Sequence, residues 1–208
     1  MKELIYVQQL INDFEKVKRS IYMPSSNSQP ENDVHHSASV AFLAWQIHDD
    51  LALNLDMAKI LKYALAHNVV EIYAGDVNAF ASAKDRAQKK LNEAKSLERI
   101  ERETAGFFPD LAVIIKGYEN RIDDEARFVW SVDKIQPLLQ GNADQNRPFY
   151  ESGITLNQVS EKYASMTADI YPPLRPLWLE ASTWFISQYD DDKVNRSGKP
   201  LNNSAARS

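Results

Sequence analysis

The sequence predicts an all-α fold, a single-domain helical bundle. Apolar residues recur with helical spacing along most of the chain, and no stretch of strand length alternates apolar and polar residues convincingly. Only six glycines are present among 208 residues, and neither an internal repeat nor a central linker divides the chain. A chain of this length can bury the core of one domain, or at most of two small ones.

The predicted elements follow in order from these patterns. The first helix covers residues 3–18, and segment 20–33 is rich in turn-forming residues and is predicted to be a loop. The strongly charged segment 82–107 supplies one or two solvated helices. The apolar side of the first helix carries Leu4, Val7, Ile11 and Phe14. The remaining helices are predicted over 34–50, 56–70, 109–120, 123–140, 155–167 and 173–189.

The last helix and the residues after it set the predicted domain boundary. Pro172 and Pro173 mark the start of that helix, and Trp178 and Trp184 are available to pack against the core. The segment 190–208 is polar and offers few apolar side chains to bury, so it is predicted to be a disordered tail. Residues 1–189 are therefore predicted to form the helical domain.

Composition excludes several classes of function. The net charge is −5 without a basic cluster, so neither a nucleic acid nor an anionic membrane is an expected partner, whereas a nucleotide is not excluded. No run approaches the roughly 18 apolar residues of a spanning helix, and acidic residues interrupt the N-terminal segment where a signal peptide would be apolar. Zero cysteines exclude disulfides, thiolate catalysis and cysteine-based zinc sites. A cytoplasmic location is expected.

Two histidines occupy positions where apolar residues are expected. Helical geometry places His36 on the apolar side of its helix with Val40, whereas His35 falls on another side. His67 shares a side of the third helix with Ile60, and Glu71 would lie one turn further if that helix continued. Both imidazoles are therefore predicted to face the core.

A third ionisable group lies far downstream. Asp133 flanks an apolar side of the helix predicted over 123–140. That side is formed by Phe128, Val132, Ile135 and Leu139. Two imidazoles and a carboxylate that converge in a helical bundle suit a divalent metal that accepts nitrogen and oxygen ligands.

Each of these residues alone also has a purely structural explanation. A core histidine is often a hydrogen-bonded packing residue, and Asp133 could pair with Lys134. Glu71 could be a solvated helix residue, and Asp76 could belong to a turn or cap a helix. Residue patterns leave both explanations open.

The order of these residues resembles that of the HD-domain metal-dependent phosphohydrolases, whose signature is a histidine, a His-Asp pair and a distant aspartate. The similarity covers roughly residues 1–185 and is closest to the branch that contains the bacterial 5'-deoxynucleotidases. It is carried by "PENDVHHS", "AHNVVEIYAGDV", "EARFVWSVDKIQPLL" and "GITLNQV". The resemblance implies an HD-type helical bundle.

The resemblance also implies a metal site. His36, His67 and Asp133 match metal ligands of the family, and Asn68 stands where the family has the aspartate of its His-Asp pair. The implied cofactor is one divalent ion, with manganese, cobalt, zinc, nickel, iron and magnesium all open. Because an amide has no negative charge, we expect weaker metal binding, slower turnover or both.

The remaining roles are carried over in the same way. Glu71 matches the candidate general acid or base, and Asp76 matches an acid near the substrate. Arg19 matches a phosphate-binding arginine, although the loop from it to His36 is longer here. Ser20 replaces the aromatic residue of the deoxynucleotidases, so their sugar selectivity is not implied. The implied reaction is hydrolysis of a (deoxy)nucleoside monophosphate to a nucleoside and phosphate.

Several alternatives stay open at the level of sequence. Asn68 marks an engineered variant, a natural enzyme that tolerates the amide with His35 as a substitute ligand, or a pseudoenzyme that binds nucleotide without turnover. A nucleotide-binding regulatory protein and a hydrolase of nucleoside triphosphates or guanosine alarmones are further alternatives. Some family members are homodimers, and a homodimer is a possible assembly here.

Overall fold

The computed structural model describes residues 1–23 and 29–197, and it confirms the all-α prediction. The described helices are α1 Lys2–Lys16, α2 Asp33–Asp50, α3 Met57–Ala66, α4 Glu71–Ala74, α5 Ala83–Thr104, α6 Pro109–Asn120, α7 Asp124–Ala143, α8 Arg147–Glu151, α9 Leu156–Met166, α10 Arg175–Ser187 and α11 Asp191–Ser197. A short 3-10 turn, Pro172–Leu174, precedes α10.

Two short strands lie in the segment that the sequence predicts to be a loop. Strand β1, Lys18–Tyr22, pairs with strand β2, Pro30–Asn32, in a two-stranded sheet. The turn-forming residues between the two strands led to the loop prediction. The strands themselves are short, and their sequences show no alternation of apolar and polar residues. The prediction was therefore wrong at both ends of the segment, while residues 24–28 lie outside the described part of the chain.

The chain divides into two compact units. The first comprises Met1–Ser20 and Glu31–Asp133, and the second comprises the described residues of Ile21–Pro30 and Lys134–Ser208. One domain over residues 1–189 stays a prediction. Residues Asp191–Ser197 are helical, and Asp191 accepts a hydrogen bond from the backbone amide of Leu156 at 2.7 Å, while the disordered tail from residue 190 stays a prediction. Residues 198–208 of the predicted tail lie outside the described residues.

The core of the first unit is built by helices α1, α3, α5 and α6 with the turn after α3. Its buried members are Leu10, Phe14, Ala66, Val69, Val70, Ile100, Leu111 and Ile115. On α1 the buried side is centred on Leu10 and Phe14, whereas Leu4 and Ile11 from the predicted apolar side are exposed. The predicted apolar side of α1 borders an apolar groove of about 290 Å³ between α1, α3 and α6.

Helices α3 and α6 approach closely at Gly117. A Cβ atom at this position would lie 2.7 Å from the hydroxyl oxygen of Tyr63. The Tyr63 hydroxyl donates to Asp123 at 3.0 Å, and Lys59 pairs with the same carboxylate at 2.7 Å. Because Gly117 has a hydrogen atom in place of a Cβ atom, the two helices can pack at this distance.

An aromatic cluster forms the core of the second unit. Trp178 is 1% exposed and packs edge-on against Tyr163, as its position in the last predicted helix indicates. Trp184 is 40% exposed, so its side chain is only partly covered. On α7, Leu138 is buried and Leu139 is 36% exposed, so the predicted apolar side was wrong at Leu139. Pro137 lies inside that helix.

No helix within the described ranges is both long enough and apolar enough to cross a membrane.

Candidate metal centre

Three side chains of the first unit meet at one buried point. The Nε2 atom of His36 lies 3.0 Å from Oδ1 of Asp133 and 3.3 Å from Nε2 of His67. His67 Nε2 lies 3.7 Å from the same Asp133 oxygen. The donor atoms all lie within 4.8 Å of one another. The structure thus brings together two histidines and an aspartate that are far apart in sequence.

Helix α2 aims His36 inward. Its first turn is capped by Asn32, whose side chain accepts a hydrogen bond from the His35 amide at 2.8 Å. His36 and Val40 are fully buried on one side, whereas the His35 side chain is 41% exposed and pairs with Glu31 at 3.0 Å. The orientation predicted from helical periodicity is confirmed for both histidines.

His67 lies at the end of α3, where the chain leaves the helix. The predicted helix over 56–70 stops at Ala66, because the amides of Val69 and Glu71 bond to carbonyls three residues back, at 3.1 and 2.8 Å. These tight turns carry the chain into the short helix α4. The prediction that the helix runs to residue 70 was therefore wrong, yet Glu71 is still delivered to the buried side.

The hydrogen bonds of His67 leave one ring nitrogen ready to bind a metal. Its Nδ1 lies 2.9 Å from the carbonyl oxygen of Ala64. A carbonyl only accepts, so Nδ1 carries the proton and Nε2 presents a lone pair toward His36 and Asp133. This arrangement is usual for histidines that ligate metals.

The other ring nitrogen of His36 faces a buried acid. Its Nδ1 lies 3.7 Å from a carboxylate oxygen of the fully buried Glu31. Burial, together with the positive charge of Arg19, lowers the pKa of His36 to about 3. A neutral imidazole is the form that binds metal ions.

Asp133 is oriented by a tyrosine. The hydroxyl of Tyr118 donates to Oδ2 of Asp133 at 2.9 Å, which leaves Oδ1 toward the two histidines. Tyr118 lies within α6, and no sequence spacing singles it out. Two nitrogen donors and a carboxylate in a buried pocket fit a divalent ion of the transition series.

Asn68 follows His67 in the turn between α3 and α4 and is half-buried. Its backbone carbonyl accepts the hydrogen bond from the Glu71 amide, so it belongs to the turn that sets the direction of Glu71. Among the described histidines and acids, His36, His67 and Asp133 form the cluster that could share an ion, and it has a single carboxylate. A ligating amide oxygen from Asn68 would add no negative charge.

Glu71 is buried beside this cluster and has two unlike oxygen atoms. Its Oε1 accepts a hydrogen bond from Lys89 at 2.8 Å, whereas its Oε2 is buried, and the carboxylate also hydrogen-bonds to the side chain of Asp33. Burial and the nearby charge of Asp76 raise the pKa of Glu71 against the opposing effect of Lys89. Asp76 follows Gly75, whose φ of 76° ends α4, and its carboxylate lies 3.7 Å from Lys89.

Arg19 lies in β1 with its side chain mostly buried. It donates to Glu31 at 3.1 Å and to Asp33 at 3.4 Å. Burial opposes its charge, but Asp76, Asp133 and the two bonded acids outweigh this effect and raise its pKa. The arginine therefore stays charged within an acidic pocket.

A comparison with known families agrees with this geometry. The model of the HD domain family matches residues 11–175, most of the chain. The chain belongs to the HD domain family. This assignment confirms the HD-type helical fold that the sequence resemblance implies.

The individual proteins that are similar to this chain have low sequence identity to it. The mouse (Mus musculus) 5'-deoxynucleotidase HDDC2 is 25% identical over 158 residues, which cover 72% of this chain and 77% of that protein. The human (Homo sapiens) protein of the same name is 25% identical over 142 residues, 68% of each chain. A crystal structure of a predicted metal-dependent phosphohydrolase from Magnetospirillum magnetotacticum MS-1 superposes with a TM-score of 0.69 at 21% identity, covering 96% of this chain and 94% of that one. At that identity the superposition supports the HD-domain fold alone.

Proposed function

We propose that this HD-domain protein is a metal-dependent 5'-nucleotidase that releases phosphate from (deoxy)nucleoside monophosphates. The observation that carries the proposal is the buried cluster of His36, His67 and Asp133 with Glu71 and Arg19 beside it. The 5'-deoxynucleotidases among the similar proteins support the substrate class.

A divalent ion held by His36, His67 and Asp133, with the Asn68 side-chain oxygen as a further ligand, would neutralise phosphate charge and acidify a bound water. Glu71, which Lys89 holds on the buried side of the site, orients the attacking water and accepts its proton. Arg19 uses guanidinium donors beyond those bonded to Glu31 and Asp33 to hold phosphate oxygens. Asp76 supports the substrate side of the pocket.

A second candidate function is nucleotide binding without turnover. Asn68 favours it, because one carboxylate instead of two would hold the ion more weakly. The other metal-ligand and acidic positions that the HD-domain resemblance implies, His36, His67, Asp133, Glu71 and Asp76, are present, so the enzyme remains the function that we propose.

The test is phosphate release from a panel of deoxy- and ribonucleoside monophosphates with manganese, cobalt or magnesium. Unsubstituted protein, Asn68→Asp, His35→Ala and His36→Ala are compared. We expect release by the unsubstituted protein, release at least tenfold faster by Asn68→Asp, which corresponds to about 1.4 kcal/mol, and none by His36→Ala. Loss of activity in His35→Ala as well would assign a ligand role to His35.

Inactivity of both the unsubstituted protein and Asn68→Asp toward every monophosphate would overturn the proposal. Nucleotide binding without release would then establish the second candidate. Cleavage of nucleoside triphosphates or guanosine tetraphosphate alone would place the chain among other HD-domain hydrolases.

A further inference from the structure

We infer that Lys89 is a positioning residue for Glu71, whose carboxylate it holds in place beside the metal cluster. The inference rests on the proposed function, because it assigns to Glu71 the role of general base. Lys89 lies on α5, outside the four quoted sequence segments but within residues 11–175 that the HD domain family model matches.

Lys89 is surrounded by three carboxylates. Its Nζ atom lies 2.8 Å from Oε1 of Glu71, 3.4 Å from Glu93 and 3.7 Å from Asp76. The side chain is 22% exposed, although lysine side chains are mostly exposed in folded proteins. Burial opposes its charge, but these carboxylates outweigh that effect and raise its pKa. Lys89 is thus a charged group held inside the site.

The hydrogen bond from Lys89 restrains the carboxylate of Glu71. The terminal torsion of a glutamate is broad, so a carboxylate without an anchor exchanges its two oxygens freely. The hydrogen bond from Lys89 holds Oε1, and the carboxylate also hydrogen-bonds to the buried carboxyl group of Asp33. A charged lysine only donates hydrogen bonds, so Lys89 cannot itself accept the proton of the water.

Lys89 also offsets the repulsion between two acids. The charge of Asp76 raises the pKa of Glu71, and Lys89 acts against it. Since Asp76 follows Gly75 directly after α4, one ammonium group ties both α4 and the residues after it to α5. Without that charge the two carboxylates would repel each other, and Glu71 would lose its fixed orientation.

The neighbouring residue provides a matched control. Lys90 is exposed and lies on the same helix, so Lys90→Met removes an equal charge at the surface. Lys89→Met removes both the charge and the donor at Glu71. Lys89→Arg keeps both, and Lys89→Gln keeps a neutral donor if Lys89→Met fails to fold.

The experiment measures kcat and KM for the monophosphate that the screen identifies, with manganese, together with manganese affinity by calorimetry. All variants are made both in the unsubstituted chain and in Asn68→Asp, so that slow turnover of the former does not hide the result. We expect Lys89→Met to lower kcat by tenfold or more, within the range of general-base effects, and to change KM and manganese affinity less than threefold. Lys89→Arg should recover most of the activity, and Lys90→Met should match the parent.

Two failures are distinguishable. If every variant and both parents are inactive, the proposed function fails and Lys89 has no base to position. If the parents are active and Lys89→Met keeps their kcat, the inference about Lys89 alone is wrong. A fall in manganese affinity that accounts for the lost activity would likewise overturn it, since Lys89 would then maintain the metal site.

Discussion

Asp33 is a fully buried acid of the site that no part of the proposed mechanism uses. One oxygen accepts a hydrogen bond from Arg19, and the carboxyl group also hydrogen-bonds to the side chain of Glu71. Burial, the neighbouring carboxylate of Glu71 and the charge of Asp76 raise the pKa of Asp33 to about 8, against the opposing charge of Arg19. The carboxyl group therefore keeps a proton in the folded protein where an ordinary aspartate has lost it.

This pKa predicts how the stability of the metal-free protein depends on pH. Between the ordinary value of 3.8 and about 8, the folded state binds a proton that the unfolded state has released. The contribution of Asp33 to the free energy of unfolding therefore decreases as pH rises through that interval. In chelator-treated protein, Asp33→Asn should flatten the decline of the unfolding midpoint between pH 5 and pH 8.5. The exposed Asp50→Asn serves as control, and an unchanged slope in Asp33→Asn would contradict the expectation.

Single residues differ in how far the sequence predicts them. Helical periodicity places His36 in the core and His35 outside it, and the structure agrees. Asp33, Lys89 and Tyr118 were missed, because each acts through a partner on another element and no spacing marks it. Lys89 in particular lies in a charged helix and four residues before Glu93, which is the usual pattern of a solvated surface pair.

At the scale of elements, local signals predict some helices closely. The predicted helix over 109–120 coincides with α6, which has Pro109 in its first turn. The prediction was wrong for the end of α3 and for both strands. The end of α3 depends on the hydrogen bonds of the turn that follows it, and each strand depends on pairing with the other, and neither can be inferred from the local residue pattern. Tertiary contacts decide such boundaries.

The contact between α3 and α6 gives an element-scale prediction. Gly117→Ala should destabilise the protein by about 1 kcal/mol or more, because overpacking at Tyr63 outweighs the better helix propensity of alanine. Gly106 has open space where a Cβ would be added, so Gly106→Ala should stay within about 0.5 kcal/mol of the parent. Urea unfolding measures both variants. Equal stabilities for the two would show that α3 and α6 can shift apart without loss.

At the scale of the whole molecule, an ion bound only by the folded state adds to its stability. Manganese at 100 times its dissociation constant should contribute about 2.7 kcal/mol. For a chain of 208 residues this corresponds to a rise in Tm of roughly 5–10 °C. Calorimetric scans with manganese and with chelator measure the shift. His36→Ala should abolish it, and an equal shift in that variant would place the ion elsewhere.

The sequence separation of the donors bears on the order of events in folding. His36 and His67 are 31 residues apart, and His36 and Asp133 are 97 residues apart. Closing such loops in an unfolded chain is entropically unfavourable, so the three donors do not meet before α2, α3 and α7 have packed. An ion bound at this cluster would consequently join a nearly finished structure. It would slow unfolding, whereas the rate of folding would be set by the polypeptide alone.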